Sequence, residues 1–129
     1  MKRIFVSFAI EDKGLRDLLR GQARNNNSPF EFIDMSVKQP WDSEWKSKCR
    51  TRIKGCDGVI SLITSNTKKA VGQIWEMNCA IDEGIPVLGI YGNNVHTGSV
   101  VPKECGDVIV RDWSWNTIAS WIKKLKEEG

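Results

Sequence analysis

Few side chains in this 129-residue chain have the type and spacing that chemistry needs. The four cysteines, Cys49, Cys56, Cys79 and Cys105, lack C-x-x-C spacing, and His96 is the single histidine. Neither a metal centre nor a disulfide framework is therefore expected; buried free thiols are. A Ser-His-Asp triad is set aside because the only histidine falls in a loop segment. Ser7-Phe8-Ala9-Ile10-Glu11-Asp12 holds one hydroxyl, two acids and no glycine, which does not make a phosphate cradle. No Walker A motif or G-x-G-x-x-G follows any expected strand. A phosphoacceptor site would need an aspartate ending the third strand, and that strand ends Ile63-Thr64-Ser65. What survives is a set of hydroxyls, carboxylates and aromatics near segment ends: Ser7, Phe8, Asp12, Asp34, Ser36, Trp45 and Ser65.

Those residues must be held by an ordered framework, and the hydrophobic pattern supplies one. Arg3 to Phe8 reads as a buried first strand, and Leu15, Leu18, Leu19 and Ala23 as the inner face of a helix. Phe30 to Asp34 is a second strand, followed by a loop from Met35 to Pro40. Trp41, Trp45, Cys49 and Ile53 then make one helical stripe, on which Trp45 reads as core or as a cleft wall. Gly58 to Thr64 and Ile85 to Tyr91 are further strands, with a helix between them carrying Val71, Ile74, Trp75, Asn78 and Ile81. Ser65, Asn66 and Thr67 are candidate caps for that helix, and Asp12 for the first. A loop from Gly92 to Gly106, a fifth strand from Asp107 to Val110 and a last helix from Trp115 to Leu125 complete the pattern.

Strands alternating with helices predict one α/β domain over residues 1–129: a flavodoxin-like three-layer sandwich, its five-stranded parallel sheet covered by helices on both faces. Ligands in such sheets bind beyond the carboxyl ends of the strands, which singles out the loops after Phe8, Asp34, Thr64 and Tyr91. Apolar residues make up 40% of the chain and charged residues 27%, with no run long enough to span a membrane. No export signal is visible, so a cytoplasmic protein is expected. The net charge of +3 demands no polyanion, and Lys46, Lys48, Arg50, Arg52 and Lys54 spread around a helix rather than forming a stripe, so no nucleic-acid partner is expected.

Two segments resemble a known family. Lys2 to Asp12 is similar to the first box of TIR domains, a strand ending in Ser-Tyr or Ser-Phe with an aspartate a few residues on. Trp75-Glu76-Met77-Asn78-Cys79-Ala80, leading into Gly84 to Ile90, resembles the third TIR helix and its following strand, although Gly72 stands where many TIR domains carry tryptophan. The closest likeness is to the bacterial and archaeal TIR-like family that includes the nucleotide-signal-producing subunit of Thoeris antiphage defence, and it covers the chain to about Ile90.

The resemblance implies that Glu76 is the catalytic residue of NAD⁺ cleavage and that NAD⁺ is substrate with no prosthetic group; Ser7, Phe8, Asp34 and Ser36, from their places at strand ends, and Trp45, as a cleft wall, are the candidates to line the ligand. It also implies self-association or an activating or effector protein as partner. Helical geometry by itself says otherwise of Glu76: Val71, Ile74, Asn78 and Ile81 define the expected buried face, and Glu76 points away from its centre, as a solvated residue would. Three functions follow. One is an NAD⁺ glycohydrolase or cyclase releasing nicotinamide and an ADP-ribose-type signal in antiphage defence. The others are a non-catalytic TIR-like interaction module, and a nucleoside deoxyribosyltransferase-like enzyme that shares the sheet and uses a glutamate at the sugar.

Overall fold

The computed structural model describes residues 1–28, 30–92 and 96–126. Strands β1 (Arg3–Ser7), β2 (Glu31–Ile33), β3 (Gly58–Ile63), β4 (Val87–Tyr91) and β5 (Ile109–Arg111) alternate with helices α1 (Lys13–Asn25), α2 (Ser43–Lys54), α3 (Val71–Asp82) and α4 (Trp115–Lys124). All pairings are parallel and the order is β2-β1-β3-β4-β5. This is the flavodoxin-like α/β arrangement that the sequence predicts. The chain leaves β1 for one edge and returns through β3 toward the other, so the crevice beside the ends of β1 and β3 is the topological switch point.

Strand alternation sorts the core. Ile4, Val6 and Phe8 from the β1 segment join Ile60, Leu62, Leu88 and Ile90 against Leu19 of α1 and Ile118 and Ile122 of α4. Phe5 and Val59 face the opposite way and pack on Trp45, Cys49 and Ile53 of α2 and Cys79 and Ala80 of α3. Ser7 and Ser61 share this second parity and are register partners, so two hydroxyls lie side by side under α3 in an otherwise apolar layer.

Three expectations are corrected. Trp41 is 78% exposed, because α2 begins only at Ser43, with Asp42 capping it by accepting from the Glu44 N–H at 2.8 Å. Leu18 on α1 is half exposed; the inner face there is Arg16, Leu19 and Ala23. The largest difference is in α3, where Val71 and Ile81 are exposed, at 66% and 45%, and the buried positions are Gly72, Gln73, Glu76, Met77, Cys79 and Ala80. The helix is rotated relative to its apolar pattern because its polar side chains find partners beneath it.

The cap candidates serve elsewhere. Neither α1 nor α3 has a side-chain cap. Asp12 accepts instead from the Thr64 hydroxyl at 2.5 Å and from the Asn66 amide at 3.0 Å, tying the segment after β1 to the turn after β3. Thr67 accepts from the Thr64 N–H at 2.9 Å, closing that turn. Of the loop between Gly92 and Gly106, residues 93–95 lie outside the described residues; its later part carries a 3-10 turn at Lys103–Cys105 that seats Cys105 on Ile63 and Met77. Among the described residues no helix is long and apolar enough to cross a membrane.

Candidate functional site

The site centres on Glu76, fully buried in the second turn of α3. Its Oε1 accepts from the Ser7 hydroxyl at 2.9 Å and its Oε2 from Lys38 Nζ at 2.7 Å. One turn earlier, Gln73 Nε2 donates to the Ser61 hydroxyl at 3.0 Å and to the Leu62 carbonyl at 2.7 Å. Lys38, Glu76, Ser7, Gln73 and Ser61 thus form a polar seam between α3 and the adjoining ends of β1 and β3. Buried polar groups are tolerated where partners satisfy them, which explains how an uncharged strand face can hold a carboxylate.

Lys38 comes from the loop after β2 and is sealed in, its side chain 7% exposed. The ammonium also sits 3.9 Å from the centroid of the fully buried Phe8 ring, a cation–π contact. Gly72 makes the approach possible: a Cβ there would lie 3.0 Å from Lys38 Cβ. Gly72 is therefore where the lysine stem crosses α3.

Burial pushes the Glu76 carboxyl up to about 7, outweighing the opposing pull of the Lys38 charge and the hydrogen bonds from Lys38 and Ser7. A carboxyl group so placed changes protonation near neutrality, and in its charged form it can stabilise a developing cation or accept from hydroxyl groups.

The other residues expected at the site fall into different environments. Asp34 is buried and bound to Arg16 Nη1 at 2.9 Å and Arg20 Nη2 at 3.4 Å, while its backbone carbonyl accepts from Arg52 at 2.7 Å. It anchors the start of the Lys38 loop to α1 and α2. Arg16 lies 5.3 Å from the same Phe8 ring that Lys38 covers. Trp45 is core: its indole N–H donates to the Val37 carbonyl at 2.6 Å and its ring meets Trp75 edge-on at 5.5 Å. Ser36 is exposed and lines, with Met35, Val37 and Trp45, a separate cleft of about 250 Å³. Ser7, Phe8 and Glu76 are brought together; Asp34, Ser36 and Trp45 support or border the loop that covers them.

Lys38, Gln73, Ser61 and Arg16 were not singled out by the sequence reading. The signal that could have found two of them is parity: a serine inside each of two adjacent buried strands, on the same face, requires a polar partner from the covering helix. All four cysteines are buried free thiols, and burial pushes Cys56 up to about 12 and Cys105 to about 11, so they are poor nucleophiles.

A family model for the TIR-like domain of the Thoeris protein ThsB matches residues 5–97, from β1 through β4, and so spans Ser7, Lys38 and Glu76. Among curated proteins, none matches this chain. With well over half of the 129 residues matched, on the fold that such a domain requires, the chain belongs to the TIR-like domain family of the Thoeris protein ThsB.

Proposed function

We propose that this protein is a TIR-like enzyme of prokaryotic antiphage defence that cleaves NAD⁺ at its nicotinamide glycosidic bond, with Glu76 as the catalytic residue. The observation that carries the reading is a fully buried carboxyl, raised to about 7, beside the carboxyl end of β1 at the topological switch point. As the bond from ribose C1′ to the pyridinium nitrogen breaks, its electron pair leaves with nicotinamide and the sugar becomes an oxocarbenium ion. A carboxylate at the ribose stabilises that charge and holds the hydroxyls. Water adding to C1′ and losing a proton gives ADP-ribose; attack by the adenosine end of the same molecule, with loss of a proton, gives a cyclic product.

For ribose to reach Glu76, Lys38 has to withdraw from Oε2, because the carboxyl is fully buried and the lysine side chain lies over it. Self-association or a protein activator acting on the loop after β2 is the expected means, and Asp34, held by Arg16 and Arg20, is the point about which that loop would turn. Incubating the protein with NAD⁺ alongside Glu76→Gln tests the reading: nicotinamide release should fall by about 10²–10³-fold in the variant.

The complete burial of Glu76 favours one second reading, a non-catalytic interaction module in which the Lys38–Glu76 pair is structural. Under it neither protein consumes NAD⁺, and NAD⁺ leaves the resonances of Ser7, Phe8 and Glu76 unmoved.

A further inference from the structure

A second concavity, of about 510 Å³, lies on the other face of the sheet from Glu76, between α4 and the edge strand β5. Its floor is apolar. Leu88 and Ile109 are register partners on adjacent strands, and Ile109 is 56% exposed because no helix covers the edge there. One wall is α4, which turns Ile118 and Ile122 into the core and so presents Thr117, Ser120, Trp121 and Lys124 to the groove at helical spacing. Arg111, at the end of β5, stands at the rim near the start of that helix.

The chemistry of this lining is one-sided. The side chains of Arg111 and Lys124 are exposed and make no ion pair or hydrogen bond among the described residues, none of which places an acid in the groove lining. Trp121 is fixed rather than free: a Cβ on Gly58 would lie 2.8 Å from its ring, so the indole occupies space that β3 leaves open by carrying glycine there. A volume within the usual range for small-molecule sites, an anchored aromatic wall, hydroxyl donors and two cations that none of the described residues neutralises together select an anion with a planar body.

We propose that this groove binds a mononucleotide-sized anion, its ring against Trp121, its sugar hydroxyls toward Ser120 and Thr117, and its phosphate on Arg111. Lys124 adds attraction from the other end. Arg111 suits phosphate because its planar fork presents two parallel N–H donors. The site would be independent of the chemistry proposed for Glu76, since it lies on the opposite face and shares no residue with the polar seam.

The test uses the intact chain and AMP, with adenosine and inorganic phosphate as separate probes, followed by amide NMR titration and calorimetry. AMP should bind saturably, moving resonances of Ile109 to Arg111 and Asn116 to Lys124 and leaving Ser7 and Glu76 still. Adenosine and phosphate should each bind at least about tenfold more weakly, as should AMP to Arg111→Gln, whose exposed position leaves folding intact. Glu76→Gln should bind AMP unchanged. The proposal is overturned by any of four results: no saturation with AMP, adenosine binding as tightly as AMP, shifts centred on Glu76, or groove resonances that move with protein concentration alone, which would assign the surface to a second copy of the chain.

Discussion

Replacing Lys38 with methionine keeps most of the stem that crosses Gly72 and removes the charge that faces Glu76. In the unmodified protein the Glu76 carboxyl is raised from an ordinary 4.5 to about 7, chiefly by burial. For an acid raised in the folded state, the stabilising contribution is complete below the unfolded value and is lost as pH rises through the folded one. At about 1.4 kcal/mol per pH unit, Glu76 therefore removes roughly 3 kcal/mol of stability between pH 4.5 and 7 and nothing further above that. Without Lys38 the folded value moves higher, so the loss continues. Urea unfolding should show a stability difference between Lys38→Met and the unmodified protein that is constant up to pH 7. Above that it should widen by about 1.4 kcal/mol per pH unit toward pH 9. Adding Glu76→Gln to Lys38→Met should abolish the widening. A difference that stays flat from pH 6 to 9 would refute the burial and pairing argued for this carboxyl.

Asp34→Ala takes from Arg16 its buried partner, leaving it the exposed Asp17 at 2.8 Å, and should cost about 1.5–3 kcal/mol by urea unfolding. Thr64→Val removes the hydroxyl that Asp12 accepts from and should cost about 1.5–3 kcal/mol, readable by the same assay. Gly58→Ala forces Trp121 and Leu125 to move, with contacts of 2.8 and 2.6 Å otherwise, and should lower stability by about 1–3 kcal/mol with a changed indole fluorescence.

The framework was legible because strand and helix alternate in their apolar periods, and β3 and β4 read directly as buried runs. The site was legible only in part. Ser7 and Phe8 follow from the end of β1, and Glu76 entered through family likeness, against its own helical pattern. That pattern failed because it counted apolar residues alone: α3 turns Gln73 and Glu76 inward, where Ser61 accepts from the Gln73 amide N–H and Ser7 donates to Glu76, and leaves Val71 and Ile81 outside. Lys38 was beyond reach for another reason. A lysine in a polar loop carries no periodic signal, and its inward course depends on Gly72 and on the Asp34 anchor, which only the packed fold brings together. Asp34 itself looked like a ligand-facing carboxylate, and Arg16, eighteen residues earlier in the chain, draws it inward.

The most direct test of the central claim is nicotinamide release from NAD⁺, followed chromatographically for the unmodified chain and Glu76→Gln, with amide resonances of both recorded in the presence of NAD⁺. With the protein at concentrations that drive self-association and with phage-infected lysate added as a source of activator, the account predicts release by the unmodified protein, NAD⁺-dependent shifts at Ser7 and Phe8 in both, and release reduced about 10²–10³-fold by the substitution. Equal release by the two proteins, or no release from either with Ser7 and Phe8 unmoved, would contradict it.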